Sequence, residues 1–207
     1  MSTQNPIHRS FFAAILLGAL TVGASAKNKG DIGSPLPEGK AVQQMDNWTI
    51  TGGGADFTGV SDQFHFASSS ASGNCTLTAK IVSVGDDSAH EWAKAALMIR
   101  ADEGVGSPHA SIAIGHGGMV VFSNRSTPGG ETRSERATKM SFPIFLRLER
   151  KKDDFTSSYS LDGKTWTQVG KTMTVPMKPS VLAGMAVTSH SNGSPCTAVF
   201  ANYQMKR

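Results

Sequence analysis

The chain has 207 residues, a formal net charge of +4 and only two cysteines. That is enough sequence for one domain with a proper core. No run of five or six like charges occurs, which argues against a nucleic-acid partner, and two cysteines so far apart offer neither a redox nor a zinc spacing.

The first 26 residues read as a removable address. Met1 to Arg9 is a polar start ending in a cation, Phe11 to Leu20 is an apolar run, and Ala24-Ser25-Ala26 is a small-residue cleavage signal. A signal peptide over 1–26 and a single domain over 27–207 are therefore expected. The product would be secreted, periplasmic or held at the cell surface. Its loss removes Arg9 and no acid, which leaves a charge of +3 from the +4 of the whole chain. The apolar run is short for a bilayer, and no later segment approaches the length of a membrane span.

Gly30 to Gln44 is rich in Gly and Pro and reads as an irregular lead-in. Short alternating or β-rich runs follow: Trp48–Thr51, Gln63–Ala67, Cys75–Val84, Trp92–Arg100, His109–Gly115 and Met119–Asn124. Phe142–Glu149, Phe155–Ser160, Thr165–Lys171, Val181–Ser189 and Thr197–Met205 complete the series. Turn signals such as Gly52-Gly53-Gly54, Gly85-Asp86-Asp87, Pro128-Gly129-Gly130 and Asp162-Gly163 separate them. About ten short strands with no amphipathic helix and no internal repeat predict an all-β sandwich or barrel. Asp162-Gly163, between Tyr159-Ser160-Leu161 and Lys164-Thr165-Trp166, is a tight-hairpin signal with a structural role.

The run Trp92 to Arg100 carries the most information. With a period of two, Ala93, Ala95, Leu97 and Ile99 point to a core. Trp92, Lys94, Ala96, Met98 and Arg100 point the other way, and that face carries a ring, a thioether and two cations. The same alternation turns His109, Ser111 and Ala113 outward from the next strand, and Met119, Val121, Ser123 and Arg125 from the one after. His190 follows on a strand whose register stays ambiguous. Cys75 and Cys196, an even pair in an exported chain, are expected to form one disulfide.

Several segments in order resemble a bacterial concanavalin A-like, LamG-type jelly-roll family named after a yeast regulator of enolase. They are Asp31-Ile32-Gly33, Gly53-Gly54-Ala55-Asp56 with Ser61-Asp62-Gln63-Phe64-His65-Phe66, and the run from Trp92 to Arg100. Phe145-Leu146-Arg147-Leu148, Tyr159 to Trp166 and Gly184 to His190 extend the resemblance over nearly all of 27–207. It implies a two-sheet antiparallel β-sandwich of the concanavalin A-like jelly-roll type. In related folds a concave sheet face often recognises sugars. The disulfide is not part of the resemblance, because the family usually has an acidic residue or glycine where this chain has Cys75.

Sugar recognition needs a planar apolar contact for the ring and fixed donors for hydroxyls. Trp92, Lys94, Met98, Arg100, Arg125 and His190 are the candidate ligand-binding residues, and several cations would favour an acidic polysaccharide. Asp56 and Asp62, which flank Thr58 to Ser61, are weak candidates for a structural calcium; no other cofactor is indicated. A glycosidase needs two carboxylates flanking one bond. Related hydrolases use Glu-x-Asp, which this chain lacks, and Glu149 alone sits near the middle of a clear apolar strand. The expectation is an exported, non-catalytic protein that binds a glycan through a concave sheet face. The alternatives are a cell-surface structural or protein-interaction domain and, behind it, a glycoside hydrolase.

Overall fold

The structure is a computed structural model that describes residues 28–207; the expected signal peptide lies outside the described residues. The described residues form strands and no helix. In chain order β1 to β5 are Asn28–Ile32, Lys40–Gln44, Asn47–Gly52, Phe64–Ser72 and Cys75–Val84. β6 to β10 are Lys94–Arg100, His109–Gly115, Met119–Arg125, Arg133–Lys139 and Ile144–Lys151. β11 to β15 are Asp154–Ser160, Thr167–Gln168, Met173–Thr174, Ser180–Thr188 and Cys196–Lys206. They build two antiparallel sheets, a seven-stranded one in the order β1-β4-β14-β6-β7-β8-β9 and an eight-stranded one in the order β12-β11-β10-β5-β15-β3-β2, with β13 beside β11.

Alternation explains the interface between the sheets. Along β5, Cys75, Leu77, Ala79 and Ile81 are buried while Thr76, Thr78 and Lys80 are half-exposed, and β10 repeats the pattern with Ile144, Leu146 and Leu148. Opposite them the seven-stranded sheet supplies Ala95, Leu97, Ile99, Ile112, Ile114, Val120, Phe122, Met185 and Val187 to the same core. The apolar face read from Trp92 to Arg100 is thus the core face, as the alternation predicted.

Three sequence expectations need correction. First, Gly30 to Gln44 is not an irregular lead-in, since it contains part of β1 and all of β2. Both are sheet-edge strands, and β2 buries only Ala41, too little apolar patterning to be read as a strand. Second, the strand series expected from the sequence does not include β9; its charged sequence is an edge strand with no buried side chain.

Third, Cys75 and Cys196 are both buried free thiols. Cys75 opens β5 and Cys196 opens β15, and those strands pair antiparallel, with Thr76 opposite Lys206 and Ala198 opposite Val84. The cysteines therefore sit at opposite ends of the strand pair, about 25 Å or more apart at the usual rise per residue. A disulfide needs Cα atoms within about 7 Å. Burial pushes both thiols up, Cys196 to about 11.

The Asp162-Gly163 turn is a lock of local hydrogen bonds. Asp162 Oδ1 accepts from the backbone N–H of Thr165 at 2.7 Å and of Lys164 at 2.8 Å. Those backbone donors, with Ser160 and Thr165 hydroxyls, hold its carboxyl well below the usual carboxylate range. Gly163 has φ +72, and the strand pair packs Phe145 against it.

Candidate functional site

The second face of the seven-stranded sheet is not open. All seven residues of β6 and all seven of β7 are buried, which requires cover on both faces. The cover is the connection between β3 and β4, residues 53–63. Small side chains make room for it: Ala186, Ala96 and Ala113 stand in register across β14, β6 and β7, and Phe57 from the connection joins their cluster with Phe64, Phe66 and Met98. Phe57 meets Phe64 edge to face at 5.4 Å between centroids.

Backbone geometry lets the cover bend onto the sheet. Gly54 has φ +99, and a Cβ there would lie 2.3 Å from the Gln63 carbonyl oxygen. The segment is then pinned at several points. The Thr188 hydroxyl donates to the Gly54 carbonyl at 2.9 Å, Asp62 N–H donates to the Val105 carbonyl at 2.9 Å, and the Thr132 hydroxyl donates to the Gly59 carbonyl at 2.8 Å.

Two carboxylates of this cover clamp cations rising from the sheet. At one end, Asp62 accepts from Arg125 Nη2 at 2.6 Å and Nη1 at 2.9 Å, and lies 3.2 Å from Arg100 Nη2. Arg100 and Arg125 also donate to the carbonyls of Asp102, Gly104, Gly59, Ser107 and Gly130. All three ionic side chains are fully buried. His109 stands between the two arginines in register, and neither of its ring nitrogens has a partner. Burial first, then Arg125 and Arg100, pushes its pKa down to about 3.

At the other end, Asp56 accepts from Lys94 Nζ at 2.7 Å on both oxygens, from Thr58 Oγ1 at 2.9 Å and from Phe57 N–H at 2.7 Å. His190 Nδ1 lies 3.1 Å from Asp56 Oδ2, and the His190 ring rests against His90 at 4.7 Å between centroids. Burial, Lys94 and His90 lower the His190 pKa, and Asp56 opposes them.

This second end borders a cleft of about 230 Å³. Asp56, Thr58, Lys94 and His190 form its polar end, Phe57, Ala113 and Val121 its apolar surface, and Trp92, Arg136, Ser123 and Ser134 complete the lining. Val121 pairs with Arg136 and Ser123 with Ser134 across β8 and β9, so all four project from the same sheet face. The two serine hydroxyls share a hydrogen bond of 2.8 Å. The Arg136 guanidinium lies over the Trp92 ring, 5.0 Å from its centroid. The volume sits just below that of usual small-molecule pockets.

The expected set of site residues is thus divided. Trp92, Lys94 and His190 come together at the cleft, although Trp92 precedes β6 instead of lying within it. Met98, Arg100 and Arg125 lie beneath the cover, fully buried, and line no cleft there. Arg125 and Arg100 spend their donors on Asp62 and on backbone carbonyls. Nor do Asp56 and Asp62 share a calcium site: each belongs to a separate ion-pair cluster, and the cations already there would repel a divalent ion. Arg136, Ser134 and Phe57 were not singled out from the sequence. The period-two spacing of Ser134 and Arg136 was a usable signal, though no apolar partner residues marked it as a strand.

No protein-family model matches the chain, and no curated protein does. Solved structures do. A functionally unknown protein from Saccharomyces cerevisiae is similar over 88% of this chain and 98% of its own, at 16% identity and a TM-score of 0.68. The carbohydrate binding module CBM66 from Bacillus subtilis is similar over 82% and 92%, at 16% identity and a TM-score of 0.55. A legume lectin-like domain from Entamoeba histolytica is similar over 82% and 87%, at 10% identity and a TM-score of 0.53. At identities this low the likeness is one of fold. The chain is an all-β, two-sheet antiparallel sandwich of the jelly-roll kind that these proteins share.

Proposed function

We propose that this protein binds a carbohydrate in the Trp92/Arg136/Asp56 cleft. The observation that carries the reading is the lining itself: a half-buried indole, an apolar patch of Phe57, Ala113 and Val121, and polar groups fixed by mutual hydrogen bonds. A pyranose presents one apolar face for a ring and hydroxyls at its rim for such groups. Two proteins of the same fold are named a carbohydrate binding module and a lectin-like domain, which supports the reading by analogy of fold. The finer assignment, to the enolase-regulator jelly-roll family, rests on the sequence segments quoted above. Export of the chain belongs to the same proposal and rests on the signal-peptide pattern.

Glycoside hydrolysis has less support. Among the described residues Asp56 is the only carboxylate lining the cleft, whereas hydrolysis by the usual route requires two. The interaction-domain reading draws on a different region. On the outer face of the eight-stranded sheet, Arg147 stacks 3.7 Å above the Trp166 ring and Lys80 stands 5.7 Å from that of Phe145, all four half-exposed.

The test is a polysaccharide panel read by pull-down and calorimetry. Wild-type protein should retain at least one glycan, and Trp92→Ala should weaken that binding about tenfold or more, the value of one lost aromatic contact. Trp92 lies outside the strands, so the thermal midpoint should stay close to that of the wild type. Unchanged retention in Trp92→Ala would sink the site assignment.

A further inference from the structure

We infer that the glycan taken by this cleft carries an anionic group, a carboxylate or a sulfate ester, and that Arg136 is the residue that receives it. The inference rests on the glycan reading above and goes further, because it assigns a ligand charge and a specificity residue.

The argument is a charge inventory of the lining. Four ionisable residues border the cleft: Asp56, Lys94, His190 and Arg136. Lys94 and Asp56 cancel each other through two contacts of 2.7 Å, and the remaining capacity of Asp56 goes to Thr58, the Phe57 N–H and His190. Neither charge of that pair is available to a ligand without breaking it. His190 has its pKa lowered and spends Nδ1 on Asp56, so near neutral pH it adds no positive charge.

Arg136 is different. Among the described residues no carboxylate lies within ion-pair reach of it, and no carbonyl or hydroxyl accepts from its guanidinium; its contact is the face of Trp92. The three buried arginines among the described residues show the contrast. Arg100, Arg125 and Arg150 each donate to two or more backbone carbonyls. The cleft therefore has a surplus of one positive charge, held by a planar group whose five N–H donors match a carboxylate or sulfate edge. Stacking on the indole preorients that group beside the surface where the sugar ring would lie, so the anion and the ring would be recognised together. Protonation of His190 in acid would add to the surplus and not reduce it.

A calorimetric comparison of chain-length-matched neutral, uronate and sulfated oligosaccharides at low and high salt tests this. At least one anionic series should bind more tightly than its neutral counterpart by about tenfold to a hundredfold, the range of one charge-assisted contact, and the advantage should shrink with salt. The uronate and sulfated arms identify which anion it is. Arg136→Gln should erase the preference, bringing the anionic series down to the affinity of the neutral one in the same variant, while Arg136→Lys should keep only part of it. Trp92→Ala should weaken every series.

Equal binding of neutral and anionic series, or a preference that survives Arg136→Gln, overturns the anionic assignment while the glycan reading stands. No binding by any series overturns both. Arg136 is exposed on an edge strand. Should Arg136→Gln nonetheless shift the melting midpoint, the Arg136→Lys variant and the salt series decide the matter on folded protein.

Discussion

The cover over the seven-stranded sheet makes the same contact twice, with opposite consequences. Asp62 and Asp56, six residues apart in one connection, each accept from cations that rise from the outward face of the sheet. At the Asp62 end both arginines and the carboxylate are fully buried and surrounded by carbonyls. At the Asp56 end Lys94 is 8% exposed, Asp56 14% and His190 33%, and a cleft opens beside them. A cation on an outward strand face is therefore no sign of a binding site in itself. What separates the two ends is how far residues 53–63 extend: they seal β6 to β8 at Arg100 and Arg125 but stop short of β8 and β9 at Val121, Ser134 and Arg136.

The largest effect should come from breaking the sealed end. Asp62→Asn removes the charge that compensates two buried guanidinium groups, and loss of one partner of a buried pair costs about 3–5 kcal/mol. Asp56→Asn, where the pair is mostly buried but borders the cleft, should cost less, about 1–3 kcal/mol, because water in the cleft can solvate part of the stranded ammonium. Urea denaturation of both variants measures the contrast. If the two losses are equal, the division into a structural end and an accessible end is wrong.

Acid should expose the same difference. His109, wedged between Arg100 and Arg125, has a folded-state pKa near 3 against an ordinary 6.5. The unfolded chain therefore binds a proton below pH 6.5 that the folded chain refuses. Stability from this residue is complete above that pH and falls as the pH drops toward 3, by about 1.4 kcal/mol per unit. His109→Leu removes the titration and also two unpartnered buried nitrogens. Urea midpoints from pH 7 to pH 4 should fall more steeply for the wild type than for His109→Leu. Parallel curves would refute the buried-histidine account.

Much of the sandwich was legible because buried strands declare themselves by alternation: Leu77, Ala79 and Ile81 in β5, or Leu146 and Leu148 in β10. Strands without a greasy face gave no such signal, which is why β1, β2 and β9 were missed. For the site, the alternation of Trp92 to Arg100 correctly sent Lys94, Met98 and Arg100 away from the main core. It said nothing of what lay above them. The cover depends on Gly54 turning with φ +99, on three alanines aligned across separate strands, and on Phe57 filling the gap they leave. Those are pairings between distant segments, and local periodicity does not encode them. Arg136 was lost for both reasons together, since it stands on an edge strand and gains its meaning only from Trp92 across the cleft.

The smallest expected effect is none, and it probes what holds both ends of the cover over one rigid sheet. The sandwich places Cys75 and Cys196 at opposite ends of the β5–β15 pair, too far apart to bond within one chain. No disulfide then supports the fold, and packing between the sheets, together with the hydrogen bonds and ion pairs that pin the cover, keeps the sealed end and the cleft end in fixed relation. A reductant should leave the urea midpoint unchanged, and thiol titration of the unreduced, denatured protein should find two free groups per chain. A native disulfide closing so long a loop would instead contribute about 4–5 kcal/mol, which reduction would remove. A midpoint that drops by that amount, with no free thiols before reduction, would require a different pairing of β5 with β15, and with it a different floor beneath Lys94 and Arg136.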